Sequence, residues 1–287
     1  MQNCAVIGIG LMGKPFAERL LDAGYPVIAY NRDATKTLSL AERGARLATA
    51  PAEAVQAAEV VVLVLSDAAA IDAALSDIGA DAPLTDKIIV QMGTIGPSES
   101  RALAGRIAAA GGRYLEAPVL GSIPEANSGT LQIMVGGERE LYEQLLPLLK
   151  VFGKEPRHIG PVGQAAAVKL ALNQLIAALT TGFSLSLGLI RHSGASVDTF
   201  MELLRESALY APTYDKKLDR MLRRDYSAPN FPTKHLLKDV DLLLRECEPL
   251  SLNTAALAGI REILGNTIAQ GLSNTDYSAL YQTVDPS

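Results

Sequence analysis

Lys169 and Asn173 stand four residues apart in "GPVGQAAAVKLALNQ", a spacing that puts both side chains on one face if the segment is helical. An ammonium close to a helix start opposes the macrodipole, which favours carboxylates there. In an apolar, half-buried setting its pKa would fall, fitting it to donate a proton at neutral pH. The plainer alternative is a snorkelling lysine beside a satisfied amide. A second grouping lies near the other end of the chain. Gly8, Gly10 and Gly13 form G-x-G-x-x-G between an apolar run and a helix-like run. There the first glycine permits a tight turn, the second lets a pyrophosphate approach the backbone, and the third lets helix and strand pack closely. The phosphates then meet the helix N-terminus. Leu11 and Met12 within the motif, and Leu65 at the end of a later apolar run, are expected to line the same dinucleotide.

The cofactor's identity is read further on. Twenty-three residues past the first glycine, where a carboxylate would hold an NAD ribose, the chain has Asn31, followed by Arg32, Thr35 and Lys36. Amide, guanidinium, hydroxyl and ammonium donors suit a 2′-phosphate, so NADP(H) is expected over NAD(H). Other chemistries have little support. His158, His192 and His235 lack metal-ligand spacing, and Cys4 and Cys247 lie far apart, so no metal site or disulfide framework is expected. No nucleophile elbow or P-loop occurs. A net charge of −5 without a block of Lys or Arg argues against nucleic acid.

These residues need a scaffold. Up to about residue 160, short β-rich runs at 4–8, 27–30, 60–65, 88–92, 114–117, 131–135 and 157–159 alternate with helical patterns, which predicts βαβ units and a parallel sheet. The run "VVVLVL" lacks period-two alternation, as a strand buried on both faces would. From Gln164 onward helical patterns prevail. Val168, Leu172, Leu175, Ile176 and Leu179 follow helical spacing, and a helix over 165–192 would run roughly 40 Å, ending at His192-Ser193-Gly194. Further helices are expected at 197–207, 212–224, 234–245 and 251–270. The expected architecture is α/β, a Rossmann-like doubly wound domain over 1–162 and an all-α domain over 163–287, joined by the long helix. Among 287 residues, 48% hydrophobic, aromatics are only 5%, which suits helix-on-sheet packing. The start lacks a basic region and cleavage signal, so a cytoplasmic location is expected. Lys169, Asn173 and Gln174 interrupt the most membrane-like stretch, so no membrane partner is expected.

Four motifs carry a resemblance. "GIGLMG", "EAPVLGS" at 116–122, "GPVGQAAAVKLALNQ" at 160–174 and "KHLLKDVDL" at 234–242 occur in the order seen in the β-hydroxyacid dehydrogenases, and the chain resembles that family over essentially its whole length. The family includes 3-hydroxyisobutyrate dehydrogenases and glyoxylate and succinic semialdehyde reductases. The resemblance implies that Lys169 is the catalytic lysine and Asn173 its companion. It implies a substrate-carboxylate loop containing Leu120, Gly121 and Ser122, where Leu120 departs from the usual serine. It further implies that Thr94, after Gly93, contacts the nicotinamide end, that Lys238 closes over the cofactor, that Asp239 is mainly structural, and that Phe231 walls the substrate pocket. The implied reaction is NADPH-dependent reduction of a small, carboxylate-bearing aldehyde or keto acid, or its reverse, by a homodimer or homotetramer. Three alternatives are an imine reductase of the same architecture, whose members usually lack the lysine, a related 6-phosphogluconate dehydrogenase, for which the helical domain is compact, and a catalytically silent NADP(H)-binding protein.

Overall fold

The computed structural model describes residues 2–76 and 84–286. The chain divides into two compact units, residues 1–169 and 170–287. Among the described residues of the first, nine strands are interspersed with helices: β1 Cys4–Ile7, α1 Gly13–Asp22, β2 Val27–Tyr30, α2 Leu38–Ala41, β3 Arg46–Leu47, α3 Pro51–Ala57, β4 Val60–Leu63, α4 Ala68–Ala74, β5 Ile88–Gln91, α5 Pro97–Ala109, β6 Arg113–Glu116, β7 Val119–Leu120, α6 Ile123–Ser128, β8 Gln132–Gly136, α7 Arg139–Leu149 and β9 Arg157–Gly160. The spatial order begins β3-β2-β1-β4-β5-β6, all parallel. This is the doubly wound order, in which the strand sequence reverses beside β1 and leaves a ligand crevice at the carboxyl ends of β1 and β4. Beyond β6 the sheet turns antiparallel through β8 and β7, while β9 joins β8 in parallel.

The uniformly apolar runs are strands because helices cover both of their faces. Cys4, Val6, Val60, Val62, Ile88 and Val90 enter one core with Phe16 and Leu20 of α1 and Leu141 and Leu145 of α7. Their neighbours Ala5, Ile7, Val61, Leu63 and Ile89 enter the other with Val55 of α3 and Leu103 and Ile107 of α5. Each fully buried aliphatic side chain adds about 1.5–3 kcal/mol against its exposed state. Two strands went unanticipated, β3 and β7; each has two residues, too few to leave a periodic trace.

α8 (Gln164–Ser193) starts in the first unit and continues into the second. α9 Val197–Arg205, α10 Pro212–Arg223, α11 Thr233–Cys247, α12 Ala255–Ala269 and α13 Tyr281–Val284 follow it. By length and composition alone α8 could cross a membrane. It nevertheless carries buried Lys169 and Asn173 and sends Ala177, Phe183 and Leu187 into the apolar clusters of the second unit. One of these clusters joins α8 to α11 and α12, with Leu236, Val240, Leu257 and Leu264. The starts of α9 and α10 are set locally. Ser196 accepts the Thr199 N–H at 3.2 Å to begin α9, and Pro212 opens α10, where its missing N–H costs nothing.

Candidate functional site

The glycine motif sits at the end of β1, beside the strand-order reversal. Gly8 has φ +103°, and a Cβ there would stand 2.3 Å from the Val64 carbonyl oxygen; a Cβ on Gly13 would stand 1.9 Å from the Gly8 oxygen. Those two glycines are required by backbone packing. Gly10 differs, because a Cβ there would meet nothing within 4 Å and the residue is exposed. α1 has no side-chain cap and no acid in its first turn, so its N-terminal N–H groups and partial positive charge stand beside that opening. This cradle fits a pyrophosphate. Leu11 is exposed and Met12 half-buried on its rim. Leu65 also belongs here: its Cδ2 would lie 3.0 Å from a Cβ on Gly8, and its carbonyl oxygen 2.4 Å from a Cβ on Gly93. Gly93 is thus needed for the close approach of two loops, and the Gln91 amide holds it by accepting from its N–H at 2.5 Å and donating to its carbonyl at 3.1 Å. Thr94 follows, half-buried.

After β2, Asn31 turns inward. Its Oδ1 accepts the Ile9 N–H at 3.0 Å and its Nδ2 donates to the Asp33 carbonyl at 2.9 Å, tying the glycine loop to the next turn. Arg32, Thr35 and Lys36 are exposed on that turn. Sequence reasoning passed over Asp33, which caps it. Thr35 donates to Asp33 Oδ1 from its hydroxyl at 2.6 Å and its N–H at 3.1 Å. Those two bonds, with Lys36 nearby, hold the Asp33 carboxyl below the usual carboxylate range. The Arg32 guanidinium and the Lys36 ammonium stand exposed beside it.

Leu120, Gly121 and Ser122 form the turn from β7 into α6. Gly121 has φ +128°, and Ser122 caps α6. The Ser122 hydroxyl donates to Glu125 Oε2 at 3.0 Å and its N–H to the same oxygen at 2.8 Å. Glu125 was also missed, although S-x-x-E is a legible capping box.

On α8, Lys169 is 9% exposed and Asn173 2%. Asn173 Nδ2 donates to Asp239 Oδ2 of α11 at 2.6 Å, and the other oxygen of Asp239 lies 2.9 Å from the Lys238 ammonium. In the second unit, Asn173, Asp239 and Lys238 therefore form one polar group. Phe231 packs ring-parallel to His235 at 6.5 Å and edge-on to Tyr277 at 5.8 Å. His158 meets the Gly137 carbonyl at 2.9 Å and His192 meets Asp285 at 2.9 Å.

Comparison with known proteins adds independent findings. The family model for the NAD binding domain of 6-phosphogluconate dehydrogenase matches residues 3–163. The model for NAD-binding of NADP-dependent 3-hydroxyisobutyrate dehydrogenase matches residues 163–284. Glyoxylate/succinic semialdehyde reductase 1 of Arabidopsis thaliana is 31% identical over 97% of this chain and 96% of its own. The cytokine-like nuclear factor N-PAC of Homo sapiens is also 31% identical, over 96% of this chain but 50% of its own length. Among solved structures, 3-hydroxyisobutyrate dehydrogenase of Mycobacterium tuberculosis, with L-serine, has a TM-score of 0.88 at 22% identity, covering 99% of both chains. At that identity the likeness is one of fold.

Proposed function

Since the chain belongs to the β-hydroxyacid dehydrogenase family of NADP(H)-binding oxidoreductases, we propose that it reduces a small carboxylate-bearing aldehyde or keto acid to the hydroxy acid with NADPH, or runs the reverse reaction. The observation that carries this reading is Lys169, buried one helical turn before Asn173, whose amide is in turn held by Asp239. A protein that only binds dinucleotide gains nothing from a lysine desolvated in this way. NADPH held at the Gly8–Gly13 loop would supply the hydride that the carbonyl carbon accepts. Lys169 Nζ donates a hydrogen bond to the carbonyl oxygen, stabilises its growing negative charge and passes it a proton, so that C=O becomes CH–OH. Lys169 then regains its proton from solvent. Asn173 orients the lysine or the substrate, and the loop at Leu120 and Gly121 receives the carboxylate, the Ser122 N–H and hydroxyl both being held by Glu125. Arg32 and Lys36 take the 2′-phosphate, which favours NADPH over NADH.

The test is loss of NADPH absorbance with glyoxylate, succinic semialdehyde, methylmalonate semialdehyde and a cyclic imine, each hit repeated with NADH. Turnover of an aldehyde acid is expected. Lys169→Ala should lose about 10²–10⁴ of it while keeping NADPH affinity; unchanged turnover in that variant would sink the mechanism. Turnover of the imine alone would move the assignment to imine reduction. A second reading has its own support, the equal identity to N-PAC, whose name is not that of an enzyme. Tight NADPH binding with silence across the panel would favour it. The same proposal includes self-association, supported by leucines exposed along α8: Leu175 at 51%, Leu185 at 67% and Leu189 at 69%.

A further inference from the structure

Glu116, the last residue of β6, is 2% exposed, and one of its oxygens serves another element entirely. Oε1 accepts the Gly163 N–H at 2.8 Å, the Ala165 N–H at 2.9 Å and the Ala166 N–H at 3.2 Å. These are the donors at the mouth of α8, a 30-residue helix with no acid in its own first turn. A carboxylate 47 or more residues earlier thus supplies the acceptor and the negative charge that a helix start normally finds in its local sequence. The second oxygen takes the Ser100 hydroxyl of α5, which itself lies 2.8 Å from the Tyr114 hydroxyl. The niche is shaped for this side chain. Gly136 faces Glu116 across the β6 and β8 pairing, and a Cβ there would stand 2.3 Å from Oε1. Gly163 offers its N–H from φ +98°.

Lys169 lies three residues beyond the last of these N–H groups, on the next turn of the helix. Glu116 is also the first residue of the 116–122 segment that leads to Ser122. We propose that Glu116 is a positioning residue for Lys169: by holding the first turn of α8 to the end of β6, it fixes the ammonium relative to the loop that receives the substrate. This inference rests on the proposed role of Lys169. Misplacing a reacting group by about 1 Å can cost about 10²-fold in rate, and removing one methylene from Glu116 withdraws its carboxylate by a comparable distance.

The experiment compares Glu116→Asp with Glu116→Gln. Glutamine keeps an acceptor for the three N–H groups and turns its own amide N–H toward Ser100, whose hydroxyl can accept. The Asp variant should lose about 10–100-fold in kcat, with substrate KM and NADPH affinity near those of the parent, and the Gln variant should recover most of that loss. Amide hydrogen exchange reads the same contact without substrate: protection at Gly163, Ala165 and Ala166 should fall in the Asp variant and persist in the Gln variant. In a Lys169→Ala background the Asp change should add no further loss, because its effect passes through the lysine. Parental kcat in the Asp variant, equal losses of kcat and NADPH affinity, or additive losses in the double variant would each overturn the inference. Lys169→Ala turning over normally would instead overturn the catalytic reading, and the single variants tell the two failures apart. If the Asp variant does not fold, Ser100→Ala should lower kcat in the same direction, and an unchanged kcat there would count against Glu116.

Discussion

Asn173 can act only as Asp239 lets it. Its Nδ2 is held at 2.6 Å by a carboxylate that also sits 2.9 Å from Lys238, which fixes the orientation of the amide. Replacing it with alanine leaves a buried carboxylate oxygen short of a partner, at about 1–3 kcal/mol. Asn173→Ala should therefore lower both kcat and the melting temperature. Melting curves of the Asn173→Ala and Asp239→Asn single and double variants should reveal coupling, and strict additivity would refute it. Arg32 is a contrasting residue, exposed and outside any core. Arg32→Ala should weaken NADPH by about tenfold or more, from loss of one charge-assisted bond, and leave NADH and the melting temperature unchanged. Equal losses for the two cofactors would remove the guanidinium from the 2′-phosphate.

At the level of the element, three glycines in one turn have separate duties. Gly8 and Gly13 keep β1, the loop and α1 within reach of one another, since a Cβ at either would overlap a carbonyl oxygen. Alanine at Gly8 also meets φ +103°, a conformation that L residues rarely adopt, so Gly8→Ala and Gly13→Ala should lower the melting temperature whether or not NADPH is present. Gly10→Ala should leave the melting temperature of the free protein unaltered and weaken NADPH, because its methyl would occupy only the space a pyrophosphate needs. Thermal shift with and without NADPH separates these outcomes; a Gly10→Ala protein that binds NADPH normally would contradict the cradle. On α6, the Ser122 and Glu125 pair secures the helix start, which explains why the serine's hydroxyl proton is already engaged.

For the whole molecule, buried groups that stay neutral set an alkaline limit. Burial pushes the Cys4 thiol up to about 12 from 9.0 and the Tyr226 hydroxyl up to about 12 from 10.0. Both hold their protons more tightly folded than unfolded, so their contribution is complete below about pH 9 and is lost as pH rises toward 12. The melting temperature should fall across that window, and less steeply in Cys4→Ala; identical slopes would show that Cys4 takes no part. The exposed leucines of α8 bear on assembly. Light scattering should give a multiple of the 30.3 kDa chain mass, and a mass near 30.3 kDa would rule out the proposed oligomer under those conditions.

Residue order alone carries whatever depends on near neighbours. Strand runs buried on both faces, the i, i+4 spacing of Lys169 and Asn173, and the close approach of Gly13 to the Gly8 carbonyl are local, so order and spacing determined the parallel sheet, the long helix and the dinucleotide loop. Contacts between distant residues leave no such trace. Asn31 reaches back 22 positions to Ile9, Asn173 reaches 66 to Asp239, and Glu116 reaches 47 to 50 along the chain to α8. Gly93 likewise owes its identity to the Leu65 carbonyl. A hydrogen bond or a close approach of this kind requires only that two groups arrive within about 3 Å, and nothing in residue order announces the meeting. Only the folded sheet decided that a glutamate at the root of one loop would cap the helix that carries the lysine.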